Sequence, residues 1–225
     1  MKRAFEIVFC DDHLVVINKI AKVLVQPSPK KEKITLTYLL QKEIGRKVFP
    51  CHRLDRETTG LIIYAKNSSI QEEIMYEFKK GEIKKAYSAF AKGSLAKKKG
   101  VLEGYIIDRE GKYFKEKPKL AKTFYRVEKE LAGFSLLKLE PQTGRTNQLR
   151  IQLAKIGHPI LGERKYAFGR DFKVNFRRLA LHAYFLSFFH PISKKRINLR
   201  IDLASDMQDF LKKWSPTRAK TRGFP

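Results

Sequence analysis

The sequence predicts an α+β protein with a mixed, largely antiparallel central sheet flanked by helices and loops. Three observations indicate this class: strand-like runs outnumber helical ones, the helices are dispersed among the strands, and the regular spacing of a doubly wound sheet is absent. With 225 residues, the chain is long enough for one sizeable core. No linker or repeat divides it, so we expect a single domain over residues 1–225, with at most two lobes around a central cleft and a loose basic tail over 212–225.

Strands are predicted from short apolar or alternating runs that turn residues bound. The run "FEIVFCDDHLVVINK", residues 5–19, turns at Asp11-Asp12 and predicts a hairpin. A second β-pair turns at Ala132-Gly133, and residues 109–122 read as a polar, basic loop. The later strand-like or mostly apolar runs lie at residues 60–67, 85–93, 100–106, 122–131, 134–141, 179–191 and 196–203.

Helices are predicted where apolar residues recur every three or four positions. Segments of this kind occupy residues 35–44, 69–80, 146–157 and 206–214. Thr35 is a candidate N-cap of the first helix, and Thr146 or Asn147 of the third. Gly81 and Gly157 are expected to end the second and third helices, because glycine readily adopts the left-handed conformation found at helix ends.

The charge of the chain is its most informative bulk property. The sequence holds 48 Lys+Arg against 23 Asp+Glu, a formal net charge of +25. Such self-repulsion is tolerable when phosphates neutralise it, so we expect a nucleic acid as partner. The basic residues cluster at 84–99, 164–178 and beyond 212. For any one cluster taken alone, a solvated basic face is the alternative.

Composition disfavours several other classes. No window approaches the ~20 apolar residues needed to span a bilayer, and acids follow the first strand too soon for a signal peptide. We therefore expect a cytoplasmic protein with no membrane partner, and a monomer. Cys10 and Cys51 form no CxxC motif, and the five histidines lack metal-ligand spacing. We expect no metal and two buried free thiols.

The stretch "CHRLDRETTGLIIYAKN", residues 51–67, raises the main chemical question. Asp55 lies between Arg53 and Arg56, which would hold its carboxyl ionised by lowering its pKa. An ionised carboxylate suits a nucleophile or an electrostatic stabiliser and disfavours a general acid. The alternative is an aspartate that only caps a turn running to Gly60 through its side chain.

A second polar stretch, residues 141–167, offers a partner for Asp55. Arg145 and Arg150 lie five positions apart, so on one helix they would point in different directions. Apolar neighbours make Arg150 a partly buried cation, which needs an anionic partner. Asp55 is the most conspicuous carboxylate for this role. The alternatives are Glu140, Glu163 and solvent.

Tyr87 is a lone aromatic residue among lysines at the start of a strand. Its ring could stack on a base and its hydroxyl could serve as a polar handle, or it could be a core residue with a hydrated tip. No glycine-rich phosphate loop, no GxSxG motif and no second carboxylate at convincing spacing accompany Asp55. Metal-dependent nuclease chemistry, which uses clustered acids, is therefore disfavoured.

The stretch "HRLDRETTGLIIYAKN" resembles the signature block of the RluA-type pseudouridine synthases. Further blocks of that family follow its order: "VFCDDHLVVINKIAKVLVQPSP", "KKAYSAFAKG", "TGRTNQLRIQLAKIGHPILGERKYA" and "LALHAYFLSFFHP". Together they span about residues 5–203. The resemblance implies the pseudouridine synthase fold and the isomerisation of specific uridines in rRNA or tRNA to pseudouridine, with no cofactor and no metal.

The resemblance also implies roles for individual residues. Asp55 would be the nucleophile, attacking either the sugar carbon or the uracil ring, and Arg150 would pair with it. Tyr87 would pack against the target uracil and take part in proton transfer. Arg53 would help to take the base out of its stack, with support from His52, because an aspartate cannot reach the glycosidic bond inside a stacked helix. Further substrate contacts are expected from Arg56, Thr58, Arg145, Asn147 and Gln148.

Three positions depart from the family pattern. Asn147 stands where the family usually has histidine, and Ile20 and Lys22 replace a proline and a glycine. No RNA-binding domain of the S4 type precedes the first block, so we expect a stand-alone catalytic domain whose basic loops choose the target. Two alternatives stay open: a non-catalytic RNA-binding or chaperone protein on the same fold, and base excision that releases free uracil.

Overall fold

The computed structural model describes residues 3–28, 32–107, 117–167 and 174–214. Its α+β architecture confirms the predicted fold class. The strands are β1 (Phe5–Cys10), β2 (Leu14–Lys19), β3 (Phe49–Pro50), β4 (Thr59–Ala65), β5 (Lys84–Lys92), β6 (Lys99–Ile106), β7 (Lys119–Leu131), β8 (Phe134–Pro141), β9 (Leu181–Phe189) and β10 (Arg196–Arg200). The helices are α1 (Leu36–Ile44), α2 (Ser68–Lys80), α3 (Gln148–Lys155) and α4 (Ser205–Trp214).

The strands named above form one sheet. Its order is β1-β2-β4-β9-β5-β8-β7-β6, with β10 paired to β9 and β3 paired to β4. Among these strands only β4 and β9 run parallel, where Thr59 lies opposite His182 and Gly60 lies opposite Ala183. The sheet is therefore mixed and largely antiparallel, as predicted. The parallel junction places the chain that follows Asp55 at the middle of the sheet.

The core fills both faces of this sheet. The β2–β4 ribbon is buried on both faces, because the hydrophobic cluster that includes α1 lies on one side and the cluster that includes α2 lies on the other. A larger cluster joins β5 and β8 to α3 and α4. Tyr87 packs against both the α1 cluster and this larger cluster, so it lies where the two halves of the sheet meet.

Local signals placed most elements correctly. The hairpin at Asp11-Asp12 is present, and Asp11 Oδ1 accepts hydrogen bonds from the backbone N–H groups of His13 and Leu14, both at 2.8 Å. Thr35 caps α1, because its Oγ1 accepts from the backbone N–H of Tyr38 at 3.3 Å. Gly81 ends α2 with φ +80°, as predicted from the preference of glycine for that conformation.

Several predicted boundaries were wrong. Residues 119–122 are not loop but the first residues of β7, because pairing with β6 extends the strand into residues whose local pattern is polar. Helix α3, Gln148–Lys155, is two residues shorter at each end than the predicted segment, although Gly157 follows it with φ +86°, as expected of a glycine that ends a helix. Strand β10 ends at Arg200, three residues before the predicted end. The strand predicted over residues 60–67 is present as β4, Thr59–Ala65.

Two side-chain predictions were also wrong. Asn147 occupies the N-cap position of α3 but makes no capping hydrogen bond, and its backbone is left-handed with φ +53°. Cys10 is exposed on the edge strand β1, whereas Cys51 is a buried free thiol as predicted. The predicted tail beyond residue 214 and parts of the basic segments 109–122 and 164–178 lie outside the described residues.

Candidate active site

Asp55 lies in the turn that precedes β4, and a buried lysine supports this turn. The backbone N–H of Thr58 donates to the carbonyl of Asp55 at 3.1 Å. Lys19, fully buried at the end of β2, donates from Nζ to three carbonyls, those of Ile20 at 2.8 Å, Arg56 at 3.0 Å and Thr58 at 2.8 Å. An ammonium has three donors, so these carbonyls satisfy it completely. Burial lowers the pKa of Lys19 to about 7.

Arg178 holds the same turn from the opposite side. This arginine is buried just before β9, and its NH1 donates to the carbonyl of Glu57 at 3.4 Å and to that of Leu179 at 2.8 Å. Its Nε and NH2 form a two-pronged ion pair with Asp206 at 2.6 and 2.7 Å. Helix α4, which carries Asp206, is therefore linked through one guanidinium to the turn of Asp55.

His182 fixes the parallel junction of β4 with β9. Its Nδ1 lies 2.8 Å from Thr59 Oγ1 and its Nε2 lies 2.9 Å from the carbonyl of Asp202. Burial lowers the pKa of His182 to about 4, so the ring is neutral near pH 7. A neutral ring that donates from Nε2 to the carbonyl accepts at Nδ1 from the threonine hydroxyl. This histidine is therefore a structural residue of the turn.

Arg150 makes the ion pair with Asp55 that its position in the sequence suggested, and it also pairs with a second acid. Its NH1 lies 3.2 Å from Asp55 Oδ2. Its Nε and NH2 donate to the two carboxylate oxygens of Glu163 at 2.6 and 2.9 Å. NH1 also donates to Asn147 Oδ1 at 2.7 Å. Arg150 thus pairs with both Asp55 and Glu163, two of the partners considered from the sequence.

Glu163 is fully buried in the side chain and ionised. Burial alone would raise the pKa of this carboxyl, but the hydrogen bonds and charge of Arg150 outweigh burial, and the pKa is lowered. The backbone N–H groups of Lys165 and Tyr166 add hydrogen bonds to Oε1 at 2.7 and 3.2 Å. The same acids hold Arg150 charged, because they raise its pKa against the opposing effect of burial.

A pocket opens beside this network. It is lined by parts of the segments 53–58 and 141–150 and by Lys85, Tyr87 and Leu181. The pocket brings together most of the residues predicted from the sequence: Arg53, Asp55, Thr58, Tyr87, Arg145, Asn147, Gln148 and Arg150. Burial and the negative charge of Asp55 raise the pKa of Tyr87, so its phenol is protonated at neutral pH.

His52 and Arg56 do not line this pocket. His52 turns away from it: the ring packs against Phe78, with 4.7 Å between centroids, and Nε2 accepts from the backbone N–H of Ile63 at 3.0 Å. Burial lowers the pKa of His52 to about 3, so the ring carries no charge that could attract a phosphate. Arg56 is exposed and donates from Nε to the carbonyl of Lys22 at 3.4 Å.

Gln148 lines the pocket, yet its side chain is already used in shaping the rim. Its Oε1 accepts from Thr143 Oγ1 at 2.6 Å and from the backbone N–H of Arg145 at 3.0 Å. Its Nε2 donates to the carbonyl of Lys122 at 3.1 Å and to Thr123 Oγ1 at 3.0 Å. This glutamine joins the loop before α3 to β7. Arg145 is exposed at the same rim and donates from Nε to the carbonyl of Leu120 at 3.1 Å.

Thr58 differs from its neighbours because its buried hydroxyl makes no hydrogen bond to the described residues. The residue is 2% exposed and lines the pocket, and Oγ1 has no hydrogen-bond partner among the described residues. Buried polar atoms in native proteins are nearly always paired, so this hydroxyl is an exception among the residues that line the pocket.

Sequence reasoning missed three residues of the site. Lys85 lines the pocket, and its period-two relation to Tyr87 in β5 was the signal that could have found it. Lys19 reads as an ordinary lysine at a strand end, and nothing local indicates that it is buried. Glu163 appeared only as an alternative partner of Arg150, because the sequence does not reveal which of two acids a buried arginine meets.

No group of three His, Cys, Asp or Glu side chains suitable for a metal ion occurs among the described residues. No helix in the described part of the chain is long and apolar enough to cross a membrane.

Comparison with known proteins identifies the family. Residues 13–155 match the family described as RNA pseudouridylate synthase. The chain is 36% identical to tRNA pseudouridine synthase C of Vibrio cholerae, covering 92% of this chain and 94% of that protein. It is 37% identical to the dual-specificity RNA pseudouridine synthase RluA of Pasteurella multocida, covering 84% of this chain and 89% of that protein. The solved structure of human RNA pseudouridylate synthase domain containing 4 is 25% identical, with a TM-score of 0.75 over 92% of both chains. The chain belongs to the RluA-type RNA pseudouridine synthases, a family of isomerases.

Proposed function

We propose that this enzyme isomerises a specific uridine of tRNA or rRNA, with Asp55 as the nucleophile and after the target base has been flipped into the pocket. The observation that supports this proposal most directly is the ion pair of Asp55 with Arg150, 3.2 Å long, in the wall of a pocket that Tyr87 also lines. The names of the relatives support tRNA and other RNA as the substrate class, and the net charge of +25 fits an RNA partner.

The chemistry explains why a carboxylate in a pocket wall suits this reaction. Isomerisation breaks the bond between C1′ of the ribose and N1 of uracil and forms a bond between C1′ and C5, while a proton leaves C5 and N1 gains one. The base must therefore be detached, turned and rejoined without escaping. An ionised carboxylate can attack either C1′ or the ring and leave again. Arg150 NH1 donates a hydrogen bond to Asp55 Oδ2, and a cation in this position favours the ionised form of a carboxylate and orients it for attack.

The surrounding residues have distinct roles in this proposal. Tyr87, neutral and half-buried, stacks on the uracil, and its protonated phenol is a proton donor rather than a base. Thr58 Oγ1 completes its hydrogen bonding with the polar edge of the base. Arg53 is exposed at the mouth of the pocket, where its guanidinium can occupy the space that the flipped base leaves in the stack.

The test compares RNA from cells with and without this gene, with pseudouridines mapped by carbodiimide-stop sequencing. We expect at least one site in tRNA or rRNA to disappear and to return with the wild-type gene but not with Asp55→Asn. Asp209→Asn, which neutralises an exposed acid on α4, is the matched control and should restore the site. Restoration by Asp55→Asn would contradict the proposed nucleophile. Loss of uracil from the RNA, with an abasic product, would indicate base excision instead.

A further inference from the structure

Lys85 places a cation in the pocket wall without a carboxylate beside it. The side chain is half-buried, and Nζ lies over the ring of Phe78 at 5.7 Å from its centroid. Among the described residues, no hydrogen bond and no ion pair reaches Nζ. The other buried cations of the site are fully used: Arg150 by three side chains and Lys19 by three carbonyls. Lys85 is therefore an exception within a site that otherwise satisfies its charges.

Burial without a compensating anion is unfavourable for an ammonium group. Removal from water lowers the pKa of Lys85, and no acid opposes this effect. A buried charge persists in a folded protein when something else repays its desolvation. In a substrate pocket, an anion carried by the substrate can do so. Arg53 and Arg145 differ because they are exposed and remain hydrated.

The position of Lys85 indicates which part of the substrate it meets. Nζ lies near the ring of Phe78 on α2 and near Gly144 at the pocket rim, whereas Asp55 is bound by Arg150 of α3. The ammonium and the carboxylate are therefore held by different parts of the pocket wall. A group bound there is separate from the reacting atoms of the base.

Gly144 leaves room at this ammonium. A methyl group added to Gly144 would lie 3.3 Å from Lys85 Nζ, closer than most real contacts of a Cβ atom. Gly144 is exposed at the pocket rim, just before α3. Any side chain at this position would crowd the ammonium from the solvent side. The glycine thus keeps open the direction from which a backbone phosphate would approach.

We infer that Lys85 binds a non-bridging oxygen of the phosphodiester that flanks the flipped uridine. This inference rests on the proposed function, since it assigns the anion that the RNA brings to the same pocket. Uracil and ribose are neutral, and each nucleotide carries its single negative charge on the phosphate. Phosphate contacts position a nucleic acid without reading its sequence. Lys85 accordingly sets how deeply the target nucleotide enters, and it does so for any uridine that reaches the pocket.

The experiment uses the full-length enzyme and a synthetic RNA stem-loop that contains the mapped uridine. Three versions of the RNA are compared: the natural one, one with a neutral methylphosphonate on the 5′ side of the target and one with it on the 3′ side. Conversion is measured for the wild type, Lys85→Gln and Lys84→Gln. Lys84 is the matched control, because it is the neighbouring lysine of β5, is exposed and does not line the pocket.

We expect Lys85→Gln to raise KM on natural RNA about tenfold, the loss of one charge-assisted hydrogen bond, with a smaller effect on kcat. Lys84→Gln should change KM by no more than about twofold, since it loses only a screened surface charge. One of the two methylphosphonates should raise the KM of the wild type by about the same factor. The same RNA should not raise the KM of Lys85→Gln further, because that variant already lacks the contact with the phosphate. Gly144→Ala should reproduce part of the effect.

The results that would overturn the inference are distinct. If Lys85→Gln has the same KM as Lys84→Gln, Lys85 does not bind the flanking phosphate. The same conclusion follows if both methylphosphonates raise the KM of Lys85→Gln as much as that of the wild type. Lys85→Arg, which keeps the charge, and Gly144→Ala decide the question if Lys85→Gln unfolds at a lower temperature than the wild type. If the wild type converts no uridine in any RNA, the proposed function fails, and this inference fails with it.

Discussion

Arg150 binds three side chains through its guanidinium, and two of these contacts fix the orientation in which it meets Asp55. Glu163 takes Nε and NH2 in a two-pronged ion pair, and Asn147 takes part of NH1 at 2.7 Å. Asp55 receives the longer hydrogen bond from NH1, at 3.2 Å. A fixed guanidinium can stabilise an ionised carboxylate without covering both of its oxygens. Glu163 is thus a positioning residue for the pair of Arg150 and Asp55.

Glu163→Gln tests this positioning role. The neutral side chain cannot accept from both donors of Arg150, so the guanidinium is released to turn toward Asp55 and cover more of its carboxylate. We expect kcat to fall by about 10- to 100-fold, the usual effect of a misplaced catalytic group, with KM changed by less than about threefold. Single-turnover conversion and RNA binding separate the two quantities.

Glu163→Asp is the control, because it retains the charge and one of the hydrogen bonds. It should restore a substantial part of kcat. An equal loss in both variants, accompanied by a lower unfolding temperature, would mean that Glu163 only supports the fold around α3.

Tyr87 gives the site a defined pH behaviour. Burial comes first and the charge of Asp55 second in raising the pKa of its phenol, so ionisation requires a higher pH in the folded protein than in the unfolded chain. The phenol therefore stays protonated at pH values where a free tyrosine, with a pKa of about 10, would be half ionised. We predict that conversion shows no alkaline decline assignable to Tyr87 up to about pH 10.

The measurement is the single-turnover rate between about pH 7 and pH 10, with absorbance of the free enzyme near 295 nm reporting tyrosinate. A decline below about pH 10 that coincides with ionisation of one buried tyrosine would contradict the prediction. Tyr87→Phe identifies that tyrosine in the absorbance titration, since its loss removes the corresponding step whether or not the variant is active.

At the scale of elements, the junction of β4 with β9 determines where Asp55 lies. Gly60 has φ +118°, and a Cβ atom there would lie 2.2 Å from the carbonyl oxygen of Ala183. The two backbones can approach this closely only because residue 60 has no side chain. His182 and Arg178 bind the same region, so three separate contacts hold the turn to β9.

Gly60→Ala should accordingly lower the free energy of unfolding by at least about 3 kcal/mol, the combined cost of the clash and of an unfavourable backbone conformation. Gly45→Ala is the matched control, because Gly45 also has positive φ, +72°, but nothing lies within 4 Å of the added methyl group. That variant should lose only about 1 kcal/mol. Urea unfolding of both variants gives the comparison. Equal losses would show that the close approach to Ala183 carries no cost of its own.

The elements that sequence predicted well are those whose signals are local. Thr35 and Gly81 act within one helical turn, so their caps could be predicted from neighbouring residues. Asn147 was predicted less well, because its side chain bonds to Arg150 instead of capping α3. Gly60 was placed at the start of a strand, but its pairing with Ala183 could not be predicted, because that partner lies far away in the chain. Contacts between distant segments leave no periodic pattern for sequence reasoning to detect.

In the site, too, residues marked by local motifs could be predicted, whereas contacts between distant segments could not. Asp55, Tyr87 and Arg150 stand in motifs that marked them individually, and all three line one pocket. Lys19 and Lys85 were missed because burial of a lysine depends on the whole sheet. His52 was expected to contact RNA, yet its ring nitrogen already accepts the backbone N–H of Ile63.

At the scale of the molecule, the fold places the partly exposed carboxylate of Asp55 in a strongly basic protein. The net charge of +25 attracts RNA of any sequence, and this attraction weakens as salt is added. The carboxylate of Asp55 contributes little to that attraction, because Arg150 already balances its charge. RNA affinity and the rate of conversion can therefore be changed separately. Asp55→Asn, which replaces one carboxylate oxygen, should lower only the rate of conversion.

The most direct measurement incubates purified wild type and Asp55→Asn with an unmodified transcript of the RNA mapped in cells. Pseudouridine is then quantified by mass spectrometry of the digested RNA, and affinity is measured on the same samples. We expect conversion by the wild type, no detectable conversion by Asp55→Asn, and affinities that agree within about twofold, since the change leaves the basic surface intact. Conversion by Asp55→Asn at a rate near that of the wild type would contradict the proposal that Asp55 is the nucleophile.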